Sequence, residues 1–559
     1  MKRWKIKEQD HRLQKSLSEA LNISRITAQV LINRGIITVE QAKKYLSCSL
    51  DSCHDPYLLK DMRKAVKRIQ RAVSKGEKIL VYGDYDVDGI TASALLVSAL
   101  RMLGSRVESY IPNRLEEGYG LNLQAISAAQ KRNVSLIITV DCGITSYREI
   151  EYANELKIDV VVTDHHRILN KKMPPACAVI NPHQDDCEYP FKHLAGVSLA
   201  YKLAIALLDG GNMSAEEFLD LVSLGTVADI ASQTGENRVL TKHGLSMLSR
   251  SKRAGINALK SASGLQGKDI SSGHVGFILG PRINAMGRIG SPELALELLL
   301  TESECIANDL AKTLNTENKN RQKIEGKLLQ EALAKAESEV DLDAHKVIVL
   351  ANEGWHQGVI GIVASRFVER YHRPAILISI TGNVGKGSGR SVEGFHLFDA
   401  LLECKDSLLG FGGHEAACGV TIEKHMVDEF REKINEVARV SMSDGDLIPT
   451  LDVDIDIPLG DLEEKVIYEL ESMAPFGPDN PPPVLSSRKL IVKDDPRPIG
   501  KKGFKFFVTD KKTTCEAITF GREGHEMPKY GQTIDLAYIP SINTWRGLPS
   551  IQLEIKDIQ

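Results

Sequence analysis

Lys78-Ile-Leu-Val-Tyr-Gly-Asp-Tyr-Asp-Val-Asp-Gly-Ile90 is the stretch on which the reading of this 559-residue chain turns. After Lys78 it begins as a short β-branched and apolar run, Ile79 to Tyr82, which predicts a buried strand. Three carboxylates follow at alternate positions, Asp84, Asp86 and Asp88, and Gly89 then opens an apolar helical pattern from Thr91 to Leu103. Alternation in extended chain places all three on one side of the backbone. Three anions crowded there repel one another strongly, and hard divalent cations are the usual compensation. A polar strand-to-helix loop accounts for one or two aspartates, but poorly for three.

Further strand and helix patterns follow. Arg106 to Ile111 predicts a strand and Leu121 to Lys131 a helix. Ser135 to Val140 predicts a strand ending at Asp141-Cys-Gly143, with a helix after it through Glu155. Ile158 to Thr163 ends at Asp164-His-His166, and Ala178 to Ile180 ends at Asn181-Pro-His183. Strands alternating with helices predict an α/β domain with a mainly parallel sheet. Ligands of such sheets bind at the carboxyl ends of the strands, and Asp84/Asp86/Asp88, Asp141 and Asp164/His165/His166 all fall on that edge. Residues 190–260 read as helical. Asp229 interrupts an apolar helix there and needs either a partner or a capping role. Gly280-Pro-Arg-Ile-Asn-Ala-Met-Gly-Arg288 reads as turn-rich.

The remaining chain divides by pattern. Residues 1–50 read as a small helical segment, with helices at Ser16–Leu31 and Thr38–Leu46. A basic helix at 55–75 (Lys60, Arg63, Lys64, Lys67, Arg68, Arg71, Lys75) is a solvated face or a phosphate-backbone contact. The expected domains are a catalytic one at 51–290, connecting helices at 291–343 that join two lobes, a smaller α/β domain at 344–442 and a strand-rich domain at 450–559. The last suits an OB-like barrel or a sandwich. The net charge of −4 excludes a generally basic protein, so any nucleic-acid surface must be local. Nine cysteines without a CxxC read as reduced thiols, which places the chain in the cytoplasm. The basic start lacks the apolar core of a signal peptide. The longest apolar stretches are too short for a bilayer, so no membrane partner is expected.

Two metals sharing a carboxylate can clamp the oxygens of a phosphoryl group under displacement. Asp86, Asp88, Asp141, His165 and Asp229 supply a mixed oxygen and imidazole set that suits Mn²⁺ or a similar ion, and the lack of Cys ligands argues against structural zinc. His166 points elsewhere by alternation and suits a phosphate ligand or proton donor.

Asp86-Val-Asp88-Gly, Asp141-Cys-Gly143, Asp164-His-His166 and Ala228-Asp-Ile230 resemble, in order and spacing, the four motifs of the DHH phosphoesterase superfamily. Within it the chain resembles, over nearly its whole length, the bacterial exonuclease family specific for single-stranded DNA. Tyr82 to Thr91, Gly118-Tyr-Gly120, Gly280 to Arg288, Trp355 to Gly361 and Gly410 to Gly419 look like segments of that family, the last from its DHH-associated domain. The resemblance implies two divalent cations, Mn²⁺ or Mg²⁺, with Asp141 bridging, Asp86 on the first and Asp88, His165 and Asp229 on the second. Many superfamily members have a histidine where this chain has Tyr82, and Asp84 is the expected replacement ligand. Asp164 is expected to orient an imidazole. Arg282, Asn284, Arg288, His356, Arg390, Gly413 and His414 become substrate contacts, with the second lobe closing over the strand. His356 has an alternative role as a helix cap, and His414 is placed in a Gly-Gly-His turn. Lys501, Lys505, Phe506, Trp545 and Arg546 are the expected DNA contacts of the OB-like domain, with Lys502, Phe504 and Tyr538 as further candidates. Aromatic side chains in a small barrel are also its usual core. The implied activity is metal-dependent 5′→3′ hydrolysis of single-stranded DNA to 5′-mononucleotides in repair and recombination, with single-strand-binding protein and a helicase as partners. The rival readings are a phosphodiesterase of oligoribonucleotides or cyclic dinucleotides, and a replication scaffold that has lost its metals.

Overall fold

The computed structural model describes residues 2–559 apart from 115–116, 119, 169–171, 210–213, 501–502, 521–526 and 544–548. It contains two compact units, Lys44–Asn320 with Ala474–Pro481, and Met1–Lys43 with Arg321–Met473 and Pro482–Gln559. Among the described residues no helix is long and apolar enough to cross a membrane.

The first unit is built on a five-stranded parallel sheet ordered Arg106–Tyr110, Lys78–Gly83, Val134–Val140, Asp159–Thr163, Ala178–Ile180. Its central strands are apolar at nearly every position because helices cover both faces, and Ile79 to Tyr82 are fully buried. The helix after the first strand runs from Val87 to Met102, four residues earlier than its apolar pattern begins. Asp86 is the reason: its side chain accepts a hydrogen bond from Gly89 N at 3.1 Å and caps the first turn. This helix is apolar all round. It packs against the sheet and against the helices Gly196–Leu208, Leu219–Ala228 and Pro292–Leu300.

Gly280–Arg288 is helix rather than turns, spanning Gly280–Ile289 and entered through a π-turn at Val275–Leu279. Pro281 lies in the first turn, where a missing N–H does no harm. At Gly287 a Cβ would come within 2.6 Å of Tyr85 O, so glycine allows the close approach to the Asp-rich loop. The charged tract after Pro292 is two helices, Pro292–Leu300 and Glu304–Glu339, parted at 301–303.

In the second unit the N-terminal residues are more than a helical segment. Strand Arg3–Ile6 pairs in parallel with Thr450–Val453. Ser16–Leu31 is two helices, His11–Leu21 and Arg25–Asn33, separated where Asn22 turns left-handed and Ser24 caps the second. A five-stranded sheet follows, ordered Gly410–His414, Ala417–Glu423, Val384–Arg390, Ala375–Thr381, Ile348–Glu353. Gly410–His414 is therefore an edge strand in a hairpin and not a turn. Its glycines gave no apolar alternation to reveal the pairing.

The C-terminal strands close into a barrel. Leu485–Val492 pairs with both Thr533–Asn543 and Gly503–Thr509, and Ser550–Ile558 and Thr514–Thr519 complete the ring. This closure is the OB architecture and not a sandwich. Phe506, expected as a DNA contact, is 1% exposed, with its ring stacked on Phe504 at 6.0 Å, and Tyr538 is equally buried. Alternation instead turns Phe507 and Lys505 outward, and Lys505 pairs with Glu516 at 2.7 Å. Lys501, Lys502, Trp545 and Arg546 lie outside the described residues. Phe506→Ala should cost about 3–5 kcal/mol of stability, as for an aromatic removed from a core. Denaturant unfolding checks this, and a loss below about 1 kcal/mol would show the ring does not pack as described.

Candidate metal centre

The carboxyl rim of the parallel sheet gathers the candidate ligand side chains. Among the described residues, three sets of mutually close ligand atoms form there: Asp84, Asp86 and Asp141; Asp88, His165 and Asp229; and Asp141, His165 and His166. His165 Nε2 lies 3.1 Å from Asp141 Oδ1 and 4.0 Å from both Asp88 Oδ2 and Asp229 Oδ2.

Each ligand is placed by an identifiable feature. Asp88 sits inside the first turn of its helix and faces the N-terminus of Gly196–Leu208. There it accepts hydrogen bonds from Gly196 N at 2.7 Å and Val197 N at 2.8 Å. Close packing demands glycine on both sides of this pair. A Cβ at Gly196 would lie 2.7 Å from Asp141 Oδ1, and one at Gly225 would lie 2.9 Å from Asp88 Oδ1. Asp141 ends its strand at φ +60°, a left-handed conformation that aspartate tolerates better than most residues. Asp229 follows the last residue of helix Leu219–Ala228, so the interruption read in the sequence is a helix end. Asp164 is fully buried. It accepts from Ile144 N at 2.9 Å, and from His166 through both the backbone N at 3.0 Å and Nδ1 at 2.7 Å, so it orients the His166 ring. Tyr82 is buried away from the cluster, donating to Gly120 O at 2.9 Å.

Electrostatics tests whether cations fit. Burial first, and then the neighbouring carboxylates, push Asp84, Asp141 and Asp229 well above the usual range. Burial and Asp86 push Asp88 up to about 7, against the opposing pull of its backbone donors. His165 is pushed down to about 4 by burial and by His166, which leaves it neutral and able to bind a metal. Burial opposes charge on His166 too, but Asp164 outweighs it and lifts the ring to about 9. Asp164, despite burial, is held low by His166. Asp84 Oδ1 and His165 Nε2 are buried without a hydrogen-bond partner, an arrangement that is costly unless something else coordinates them. The donor set therefore fits a pair of hard or borderline divalent cations.

A cavity of about 340 Å³ opens on the cluster, lined by Asp84, Asp86, His166, Asp229, Arg114, Asn284 and Arg288. A larger one of about 800 Å³, around Arg101, Lys252 and Glu304, has no such cluster, so size alone does not mark the site. Asn284 Oδ1 accepts from Val87 N at 3.2 Å and ties its helix to the Asp-rich loop. Arg282 does not line this cavity; its guanidinium bonds Asn315 Oδ1 at 3.1 Å and Ile278 O at 2.5 Å. Arg114, whose guanidinium lies 5.3 Å from the centre of the Tyr85 ring, is the residue sequence reasoning missed. It stands four residues past strand Arg106–Tyr110, without the immediate strand-end position or the crowded carboxylates that marked the aspartates.

In the second unit His356 caps helix Gln357–Tyr371, accepting from Gly358 N at 3.1 Å, which is the alternative role read for it. Arg390, Ala417 and His414 pair in one row across three strands, so Arg390 and His414 share a sheet face. Gly413, at φ +142°, lies against Cys418, where a Cβ would meet Ala417 O at 2.3 Å.

This parallel sheet with its rim of aspartate and histidine defines a DHH-family domain, and the profile of the DHH family N-terminal domain matches residues 78–226. The DHHA1 domain matches 344–439 and the RecJ OB domain matches 453–557. The chain is 40% identical to the single-stranded-DNA-specific exonuclease RecJ of Bacillus subtilis, over 99% of this chain and 70% of that one. It is 36% identical to the RecJ of Escherichia coli, over 89% of this chain and 90% of the relative. The crystal structure of Thermus thermophilus RecJ in complex with Mn²⁺ superimposes with a TM-score of 0.86 at 29% identity, covering 100% of this chain and 79% of that one. The chain belongs to the RecJ family.

Proposed function

We propose that this protein is a divalent-cation-dependent exonuclease that degrades single-stranded DNA from the 5′ end to 5′-mononucleotides, in DNA repair and recombination. The observation that carries the reading is the convergence of Asp88, Asp141, Asp229 and His165 on one point of the sheet rim. Similarity to full-length RecJ proteins and the closed OB barrel favour it over the phosphodiesterase and scaffold readings.

Asp84, Asp86 and Asp141 would hold one Mn²⁺ or Mg²⁺, and Asp88, His165 and Asp229 the other, with Asp141 between them. Such ions, when bound, supply Lewis-acid stabilisation of charge developing on the phosphoryl oxygens. The remaining work falls to this chain's own groups. The backbone donors of Gly196 and Val197 fix Asp88, so its position does not change as charge builds. Arg288 and Arg114 orient the scissile phosphate in the cavity, and Asn284 anchors their wall. His166, held through Nδ1 by Asp164, presents its other nitrogen as the proton donor to the leaving 3′-oxygen. In the second unit Arg390, Gly413 and His414 form a phosphate contact, and Lys505 belongs to the strand-binding surface of the barrel. A cytoplasmic setting with single-strand-binding protein and a helicase as partners accompanies the reading. The domain limits read from the sequence go with it as well.

The test is incubation of 5′- or 3′-labelled single-stranded and duplex DNA with Mn²⁺ or Mg²⁺. Labelled mononucleotide should appear first from the 5′-labelled single strand. First release from the 3′ label would reverse the polarity, and equal attack on duplex would remove the strand selectivity.

A further inference from the structure

Phe277 is 86% exposed, an unusual placement for a phenylalanine inside a well-packed helical segment. It lies in the π-turn Val275–Leu279, and the local sequence explains that turn. Pro281 has no N–H to offer the Phe277 carbonyl four residues back. The register widens, and Gly280 N donates five residues back to Val275 O. Arg282 completes the device by donating to Ile278 O at 2.5 Å. Val275 and Leu279 stay buried while Phe277 is turned outward. A π-turn inside a helix is frequently a functional feature.

The turn also abuts the metal centre. Gly280 packs on Ala228, where a Cβ would lie 3.3 Å from the alanine Cβ, and Ala228 immediately precedes Asp229. On the far side of Asp229 stands Ile230, 72% exposed and at φ +60°. A β-branched residue in that conformation is strained, and such strain persists chiefly at sites where the surroundings impose it for function. Two backbone irregularities, the π-turn that reaches Ala228 through Gly280 and the left-handed Ile230, thus flank one candidate ligand, and each carries an exposed apolar side chain. Asn284, which lines the cavity, follows Phe277 by two helical turns, about 10 Å along the axis.

We propose that Phe277 is a stacking platform for a nucleobase of the single strand next to the scissile phosphate, with Ile230 as a second apolar contact. Every base has a face that stacks, so the platform is indifferent to sequence. A base paired in duplex keeps its faces covered by its own neighbours, so the platform favours single strands. This inference rests on the nuclease reading above.

Phe277→Ala should raise KM for an oligothymidylate at least about fivefold, the change that ~1 kcal/mol of stacking represents. The value of kcat should stay nearly constant, and Phe277→Trp should restore KM. On the same oligonucleotide with abasic residues at its 5′-terminal positions, wild type and Phe277→Ala should share one KM. Cleavage of that abasic strand by the variant also confirms that it is folded. Equal KM for both proteins on the base-bearing strand would overturn the platform while leaving the nuclease reading intact. A fall in kcat with KM unmoved would also overturn it, assigning Phe277 to helix positioning. Failure of the wild type to cleave with Mn²⁺ would sink the nuclease reading instead.

Discussion

Asp141→Asn lowers kcat by at least about a thousandfold, leaves affinity for single-stranded DNA nearly unchanged, and makes the metal-free protein more stable: this is the expected result. The first part follows from position. Asp141 belongs to two of the three candidate ligand sets at the rim and stands between the two proposed ions, so losing its charge should weaken the hold on both. Several kcal/mol of transition-state stabilisation correspond to about a thousandfold or more in rate. The second part follows because the other proposed strand contacts, among them Arg288 and Lys505, lie on other elements. The third has the opposite sign to the first. Burial, Asp88 and Asp86 all oppose ionisation of Asp141, so in the absence of cations its carboxylate is a source of instability. Asparagine keeps the shape beside Gly196 and tolerates the left-handed backbone, which alanine does less well. The gain should be about 1–2 kcal/mol, in line with other function-for-stability exchanges. Thermal melting after chelation, with steady-state kinetics and DNA titration, measures all three. Near-normal turnover would remove Asp141 from the centre, and a destabilised variant would show that the aspartate is held by packing alone.

The parallel sheet and its functional rim were legible because their signals are local. The central strands are short apolar runs, and a polar residue directly after such a run must sit at the sheet edge. That logic located Asp84, Asp141 and Asp164 without any knowledge of their contacts. It did not single out Arg114, because a lone arginine four residues past a strand carries no crowding argument. Glycine and proline hid what the pattern could not reach. Gly280 and Pro281 look like turn residues in sequence, yet in the structure they begin a helix and shape the π-turn before it. Gly410–His414 lacks alternating side chains, so its strand pairing is invisible until Ala417–Glu423 is beside it. In the barrel the period of the Phe504–Phe507 run was readable but its phase was not. The inward set, Phe504 and Phe506, depends on which face the closed ring encloses. Backbone donors such as Gly196 N and Val197 N lie far from Asp88 in sequence, so the residues that fix the ligands were the least legible part of the site.

The stabilisation given by Mn²⁺ should increase as pH rises from about 6 to about 8, and the carboxylates of the rim set the sign. In the metal-free protein Asp88 is raised from 3.8 to about 7. A carboxyl whose folded value is raised favours the folded state when protonated. Its contribution is full below the unfolded value and is lost as pH climbs through the folded one. For Asp88 that loss is spread over the interval from 3.8 to about 7, so its last part falls above about pH 6. Asp84, Asp141 and Asp229 are shifted the same way. His166, lifted to about 9, also loses stabilisation above about 6.5. His165 runs the other way, since a depressed imidazole gains stability as pH rises from about 4 to 6.5, but above that window it adds no slope. The metal-free protein therefore weakens from near-neutral to mildly alkaline pH. Bound cations remove the repulsion, and protons compete with them less as pH rises, so both effects enlarge the shift in Tm. Melting curves of chelator-treated protein with and without Mn²⁺ across this range measure it. In Asp88→Asn the slope of the metal-free curve should flatten. A Tm shift independent of pH, or a slope unchanged in that variant, would mean that the cations bind somewhere other than this rim.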